Sequence, residues 1–272
     1  GIYMCKMHDY KSFLVVLTIL FFNITAQGGW IITEVSKDNS GNNNVQTTFI
    51  QDNFIRHETL SSMAIIDLDS KTITIIFSQF KVYWSGTIED LKRSSIEAYD
   101  MQMEEFLVGL TDSSAKELKT IYAETRQKLF DTSINNRVSN IDIYNTREYT
   151  RILDFNCLKY NIIVDNILRE SVWHTDEVKP YNDINIENMI SLMNQMESIS
   201  GNNFSQTPDY RSLLATGMLL RTSEYQGDIV VNEKEVTNIS EVGIPLNFFY
   251  PPDGYTEATF YEILNLMSAL EK

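Results

Sequence analysis

The segment MAIIDLDSKTITII, residues 63–76, carries the clearest fold signal in the chain. Two runs rich in Ile and Thr flank a polar group centred on Asp69-Ser70. β-Branched residues favour strands, and a short polar cluster between two such runs favours a tight turn. The segment therefore predicts an antiparallel β-hairpin with strands near 62–68 and 71–77.

Similar apolar runs, separated by short polar connections, continue on both sides of this hairpin. The connections are too short for the crossovers that parallel strands need, so sequential strands should pair as hairpins. One of them, Asp165-Asn166, is a typical two-residue turn because both residue types tolerate a positive φ. The predicted strands are 29–36, 45–51, 53–58, 62–68, 71–77, 80–84, 141–149, 151–164, 167–175, 217–225 and 228–241.

Beyond residue 86 the spacing of apolar residues changes to about 3.6, the period of an α-helix. Thr87 with Asp90, and Ser114 with Glu117, have the spacing of a capping box and so mark two helix starts. Two helices joined by a short connection form a helical hairpin. The predicted helical segments are this hairpin at about 87–131, and helices at 185–199, at 208–214 and from residue 257 onward.

Strands in blocks, with helices grouped between the blocks, define the α+β class. Several strands carry apolar residues on both faces, for example Trp30, Ile31 and Ile32, so each face of the sheet needs a cover. A long antiparallel sheet also curls. We therefore predict a curled antiparallel sheet, or half-barrel, with helices packed on or in its concave face, as a single domain over residues 27–272.

Residues 1–26 have the features of a secretory signal peptide. Lys6 and Lys11 precede an apolar run at 13–22, and Ala26 places a small residue at the expected cleavage point. The run is shorter than the ~20 residues that span a bilayer. We expect export to the periplasm or outside the cell, with no stable membrane anchor after cleavage. Cys157 is then the single remaining cysteine, and we expect a buried, inert thiol.

The chain is strongly acidic. Its 272 residues include 37 Asp and Glu against 22 Lys and Arg, a formal net charge of -15. Nucleic-acid binding depends on neutralising phosphates with basic side chains, so nucleic acid is excluded as a partner. A protein partner of this surface would be basic.

Four sets of apolar stretches follow one another along the chain: 63–76 with 83–86, 155–160 with 170–175, 217–221 and 248–255. Their order resembles a family of uncharacterised exported proteins of Gram-negative bacteria, related in fold to the periplasmic lipoprotein carriers (LolA/LolB-like half-barrels). The resemblance implies a curled antiparallel sheet whose concave side binds acyl chains or other apolar groups, and it implies periplasmic or secreted localisation. It carries over no catalytic residues and no cofactor.

The motifs for enzymatic chemistry are weak. Asp67 and Asp69 have the alternating spacing of a calcium loop, but no acidic ligand follows at the required distance, so a hairpin turn is favoured. His174 with Asp176 is the best imidazole and carboxylate set, yet zinc hydrolases draw three ligands from such groups. We predict no metal, no cofactor and no catalytic residue.

Three functions remain as hypotheses. The first is a non-enzymatic exported protein that binds a lipid-like or other apolar ligand in the half-barrel. The second is an interaction or scaffolding module whose cavity is filled by its own side chains and whose acidic surface meets a basic partner. The third is a hydrolase centred on His174. The residues predicted to line the cavity are Trp30, Phe49, Phe54, Trp84, Met103, Phe106 and Trp173.

Overall fold

The computed structural model describes residues 28–130, 140–200 and 207–269, in which strands and helices alternate in blocks. The predicted signal peptide lies outside these residues. The strands are β1 (Gly29–Asp38), β2 (Asn43–Gln51), β3 (Phe54–Glu58), β4 (Met63–Asp67), β5 (Thr72–Phe77), β6 (Val82–Gly86), β7 (Ile141–Ile152), β8 (Phe155–Val164), β9 (Ile167–Thr175), β10 (Met218–Gln226), β11 (Ile229–Val242) and β12 (Thr256–Glu257). The α-helices are α1 (Ile88–Leu107), α2 (Asp112–Phe130), α3 (Ile186–Ser200), α4 (Pro208–Thr216) and α5 (Phe260–Ser268).

All twelve strands belong to one open, curled sheet in the order β12-β6-β5-β4-β3-β2-β1-β11-β10-β9-β8-β7. Strands β1 to β6 form one antiparallel meander, and β7 to β11 form a second. The two meanders join where β11 pairs with β1. The short strand β12 is the one exception to antiparallel pairing, since it runs parallel to β6. The predicted α+β class and curled antiparallel sheet are confirmed.

Two-residue turns with positive φ connect several hairpins. Asp165 and Asn166 have φ angles of 51° and 64°, as their sequence predicts. Leu153 and Asp154 adopt the same conformation, with φ angles of 48° and 68°. This turn lies later than predicted, so β7 extends to Ile152 rather than 149. Leucine rarely adopts a positive φ, and the sequence therefore gives little sign of a turn there.

Capping boxes fix two helix starts. Thr87 and Asp90 form the predicted box at the start of α1. Thr259 and Glu262 form a second at α5, so that helix begins at Phe260 rather than at residue 257. Thr256 and Glu257 instead form β12 at the edge of the sheet.

The concave face of the sheet holds the main core. Residues of α3, α4 and the 3-10 turn Pro180–Asp183 pack on alternate residues of the strands. Leu220 is 0% exposed and Ile190 is 2% exposed. The predicted packing of helices on the concave face is confirmed for α3 and α4.

The opposite face of the first meander has a separate apolar cluster. The 3-10 turn Leu246–Phe249 lies over it, and Phe249 is 2% exposed. Arg56 holds this turn in place, because its guanidinium donates a hydrogen bond to the Phe248 carbonyl and lies 3.9 Å from the Phe248 ring centroid. Glu58 pairs with the same guanidinium at 2.6 Å. Both faces of this meander are therefore covered, as its sequence requires.

Close packing of α4 and β10 against β9 depends on Gly217. A Cβ atom at this position would lie 1.9 Å from the Thr175 carbonyl oxygen. At Gly243 a Cβ would meet nothing within 4 Å.

We predict that Gly217→Ala lowers the free energy of unfolding by about 3 kcal/mol or more, because the backbone must move to admit the methyl group. Gly243→Ala should change it by less than about 0.5 kcal/mol. Urea denaturation of both variants measures this, and equal midpoints would contradict the packing described.

Candidate functional site

A cavity of about 280 Å³ lies between the concave face of the sheet and the helices that cover it. Its volume falls just below the lower end of the usual range for small-molecule sites, ~300–1,000 Å³. Most of its wall is apolar or aromatic, with a few polar groups. The lining residues are Ile32, Glu34, Thr48, Tyr181, Met189, Met193, Tyr210, Leu214, Met218, Leu219, Leu220, Arg221, Thr222 and Lys234.

Strands β1 and β11 bring a carboxylate and an ammonium group to the sheet side of this cavity. Glu34 lies opposite Val236, and Lys234 lies opposite Ser36, so both project from the same face. Lys234 also forms an ion pair with Glu224, with 3.7 Å between Nζ and Oε1. The Glu34 carboxylate forms no hydrogen bond and no close ion pair with any of the described residues.

The environment of Glu34 disfavours its charge. Burial raises the pKa of the Glu34 carboxyl, and the positive charge of Lys234 offsets this in part. The Tyr181 hydroxyl lies near Glu34, and burial together with this carboxyl raises the pKa of Tyr181 to about 12. A carboxyl with a raised pKa in a cavity is a typical feature of a functional site.

His57 lies beside this group on β3. Its Nδ1 is 3.0 Å from the Thr48 hydroxyl, which lies on the neighbouring strand. Burial lowers the pKa of His57, the Lys234 charge lowers it further, and Glu58 opposes both. The imidazole is therefore neutral at pH 7 and adds no positive charge.

The Arg221 side chain points away from the cavity, because its neighbour Thr222 pairs with Lys234 and takes the cavity face of β10. On the opposite face the Arg221 guanidinium forms an ion pair with Glu235 at 2.5 Å and lies 5.2 Å from the Trp173 ring centroid. Arg221 and Lys234 thus each have a carboxylate partner other than Glu34. The cavity offers one carboxylate with no close partner among the described residues.

A second pocket, of about 510 Å³, lies between α1 and the segment that contains β12 and the start of α5. Trp84 and Phe260 form its aromatic wall, with their ring centroids 5.1 Å apart. Its helical rim is open, since Met101 is 44% exposed. The first cavity is the stronger candidate because its wall brings charged groups of both signs, Glu34 and Lys234, against buried residues of the main core such as Leu220.

Among the described residues, the helical hairpin does not contribute to the first cavity, since none of the lining residues comes from α1 or α2. Instead, α1 packs against α5, while α2 packs against α1 through the stacked rings of Tyr99 and Tyr122. The cover of the cavity comes from α3 and α4; the sequence predicts helices on the concave face but does not say which of them lie there.

Three of the predicted lining residues lie on β1, β2 and β3. Trp30 packs against the main core, and its Nε1 donates a hydrogen bond to Asp183 at 3.2 Å. Phe49 and Phe54 lie on the opposite face, where they contact Phe248 and Phe249 with centroid distances of 4.7 and 5.4 Å. Strand alternation explains this, because Thr48 takes the cavity side and its neighbour Phe49 must take the other.

The other four are dispersed. Trp84 lines the second pocket. Trp173 lies between the side chains of Arg221 and Lys159, on the face opposite Val172. On α1, Met103 is half-buried, and Phe106 is 68% exposed near the C-terminal end. None of the seven predicted residues lines the first cavity, and their assignment to a ligand site stays a prediction.

His174 and Cys157 have structural environments. His174 is 8% exposed, and its Nε2 is 2.9 Å from the Leu213 carbonyl oxygen of α4. Burial lowers the pKa of His174, while the Leu213 hydrogen bond and Asp176 oppose this shift. Burial also raises the pKa of the Cys157 thiol to about 11. Neither environment favours a nucleophile or a general base in an open cleft.

Two further observations concern the described residues alone. They contain no group of three or more His, Cys, Asp or Glu side chains placed to hold a metal ion. Within 28–130, 140–200 and 207–269, no helix combines the length and apolar character needed to cross a membrane.

Comparison with known proteins gives distant matches in structure only. No known family and no curated protein matches the sequence. An uncharacterised conserved protein from Thermus thermophilus is 9% identical with a TM-score of 0.41, covering 91% of this chain and 99% of that one. A LolA superfamily protein from Nitrosomonas europaea is 6% identical with a TM-score of 0.23, covering 82% and 89%.

PNGF-II is 12% identical with a TM-score of 0.39, and the match covers 89% of this chain. The chain spans about a third of the length of PNGF-II, 33%. Similarities at this level carry no function, so any function has to be inferred from the residues of the site.

Glu34 is absent from the predicted lining residues, because that prediction favours aromatic side chains. The signal was nevertheless present, since Trp30, Ile32 and Glu34 alternate along β1. A carboxylate in the inward series of a strand that is otherwise apolar requires a partner or a function.

The raised pKa of Glu34 predicts how the stability of the protein depends on pH. Below the ordinary glutamate pKa, ~4.3, the carboxyl is protonated in both the folded and the unfolded chain. As pH rises above this value, the unfolded chain loses the proton first, and the folded wild type loses stability relative to Glu34→Gln. We expect the Tm of Glu34→Gln to exceed that of wild type at pH 7.5 and to converge with it at pH 4.

Glu241→Gln is the matched control, because Glu241 is an exposed glutamate at the other end of the β1–β11 pair. Its Tm should follow that of wild type at every pH. A Glu34→Gln variant that is less stable than wild type at pH 7.5 would show that the carboxylate is well satisfied in the folded protein.

Proposed function

We propose that the protein is an exported, non-enzymatic binding protein that holds a small amphipathic ligand in the cavity between the curled sheet and helices α3 and α4. The observation that carries the proposal is the cavity itself, about 280 Å³, whose wall combines apolar and aromatic residues from the helices and the core with polar and charged groups from the sheet. Small-molecule sites typically have this combination, in which apolar contact gives affinity and a few polar groups give orientation.

The two sides of the cavity have different chemistry. Met189, Met193 and Leu214 from the helices present apolar groups, and methionine adapts to ligands of varied shape. Across from them, Glu34 and Lys234 stand on the sheet. An amphipathic molecule would place its chain against the helices and its polar end at the sheet.

The location follows from the sequence. Residues 1–26 have the pattern of a secretory signal peptide, and we propose that the protein acts in the periplasm or outside the cell. A protein in that compartment meets lipids, their breakdown products and other small amphiphiles. The proposal fits the lipid-like ligand that the half-barrel resemblance implies.

Blocking the cavity tests this proposal. N-phenyl-1-naphthylamine, a neutral apolar fluorophore, should gain fluorescence on binding to the wild type, and 1-octanol should displace it. Met193→Trp, from the helix side, and Thr222→Trp, from the sheet side, should each lower the affinity for the fluorophore by about tenfold or more, because the indole fills the space.

Met196→Trp is the control for these variants. Met196 lies on the same helix as Met193 but is 45% exposed. Its affinity should stay within about twofold of wild type, since an exposed substitution leaves the cavity unchanged. Circular dichroism verifies that each variant is folded. Absence of binding by the wild type, or equal affinity in all three variants, would contradict the proposal.

A further inference from the structure

The charges around the cavity indicate which polar end its ligand carries. The ionisable groups that face the sheet side come from several elements: Glu34 on β1, His57 on β3, Glu224 on β10, Lys234 on β11, and Tyr181 and Tyr210 on the covering segments. Their balance of charge decides whether an anion, a neutral group or a cation is accepted.

Lys234, the cation on the cavity face, is already paired, since it lies 3.7 Å from the Glu224 carboxylate. The Arg221 guanidinium lies on the opposite face of β10, where it pairs with Glu235 at 2.5 Å. His57 is neutral, because burial and Lys234 both lower its pKa. An anionic ligand would have to displace the Glu224 carboxylate to pair with Lys234.

Glu34, in contrast, has no ion-pair partner among the described residues. Within the described part of the chain it has no close cation and no hydrogen-bond donor, and its nearest positive charge, Lys234, is shared with Glu224. A partly buried carboxylate without a partner gains most from a charged donor, since charge-assisted hydrogen bonds are about twice as strong as neutral ones. The net charge of the chain, -15, also attracts cations.

Aromatic groups complete the arrangement. Tyr181 and Tyr210 line the same cavity, and aromatic rings attract cations through their quadrupole. We propose that the cavity selects cationic amphiphiles, molecules with an apolar chain and a protonated amine that pairs with the Glu34 carboxylate. This inference rests on the proposed function, and it names the class of ligand for the same site.

Three probes with the same chain and different polar ends test the inference. Octylamine, 1-octanol and octanoate are titrated at pH 7.5 by displacement of N-phenyl-1-naphthylamine, with calorimetry as a second measurement. Octylamine should bind the wild type about tenfold more tightly than 1-octanol, and octanoate should bind more weakly than both, because it meets Glu34 with a like charge.

Glu34→Gln should remove this preference. Its affinity for octylamine should fall to about its affinity for 1-octanol, so that the preference for the amine over the alcohol disappears, since the variant offers no ionic partner. Glu241→Gln, which alters an exposed carboxylate on the same strand pair, should keep the wild-type order.

The outcomes separate the two proposals. If 1-octanol binds and octylamine shows no advantage, or if Glu34→Gln keeps the preference, the selection of cations is overturned and the binding function stands. If none of the three probes binds, both are overturned.

Discussion

The antiparallel pairing of β1 with β11 is the constraint on which the rest of the structure depends. It brings together segments far apart in the chain, and the Thr237 hydroxyl bonds the Thr33 carbonyl across 204 residues. Without it the two meanders would be separate sheets. The same register places Glu34 and Lys234 on one face of the sheet, the face that lines the cavity. A shift of one strand by one residue would put Glu34 and Lys234 on opposite faces of the sheet, so fold and site rest on one alignment.

Much of the fold could be predicted because its signals are local. The hairpin at 63–76, the turn at Asp165-Asn166 and the capping box at Thr87 each depend on neighbouring residues alone. The exceptions also have local causes. Leu153 adopts a positive φ that its residue type disfavours, and the two-residue strand β12 is too short to show any alternation.

The cavity could not be predicted to the same degree, because its position is decided by long-range packing. Both faces of the first meander are apolar, and the sequence does not say which face the helices cover. Phe49 and Ile50 look equally suited to a cavity, yet Phe49 packs under the turn at Leu246–Phe249 while Ile50 joins the main core. A charged residue in an inward series, as at Glu34, is the more informative signal, since burial makes its charge costly.

The methionine methyl groups allow the central claim, a ligand cavity beneath α3 and α4, to be tested most directly. Met189, Met193 and Met218 line this cavity, whereas Met101 lines the pocket beside Trp84. In a titration of ¹³C-methyl-methionine protein with 1-octanol, followed by NMR, the first three methyl signals should shift together along one saturable curve, and the Met101 signal should stay fixed. Shifts confined to Met101, or no shift at any of the four, would contradict the claim.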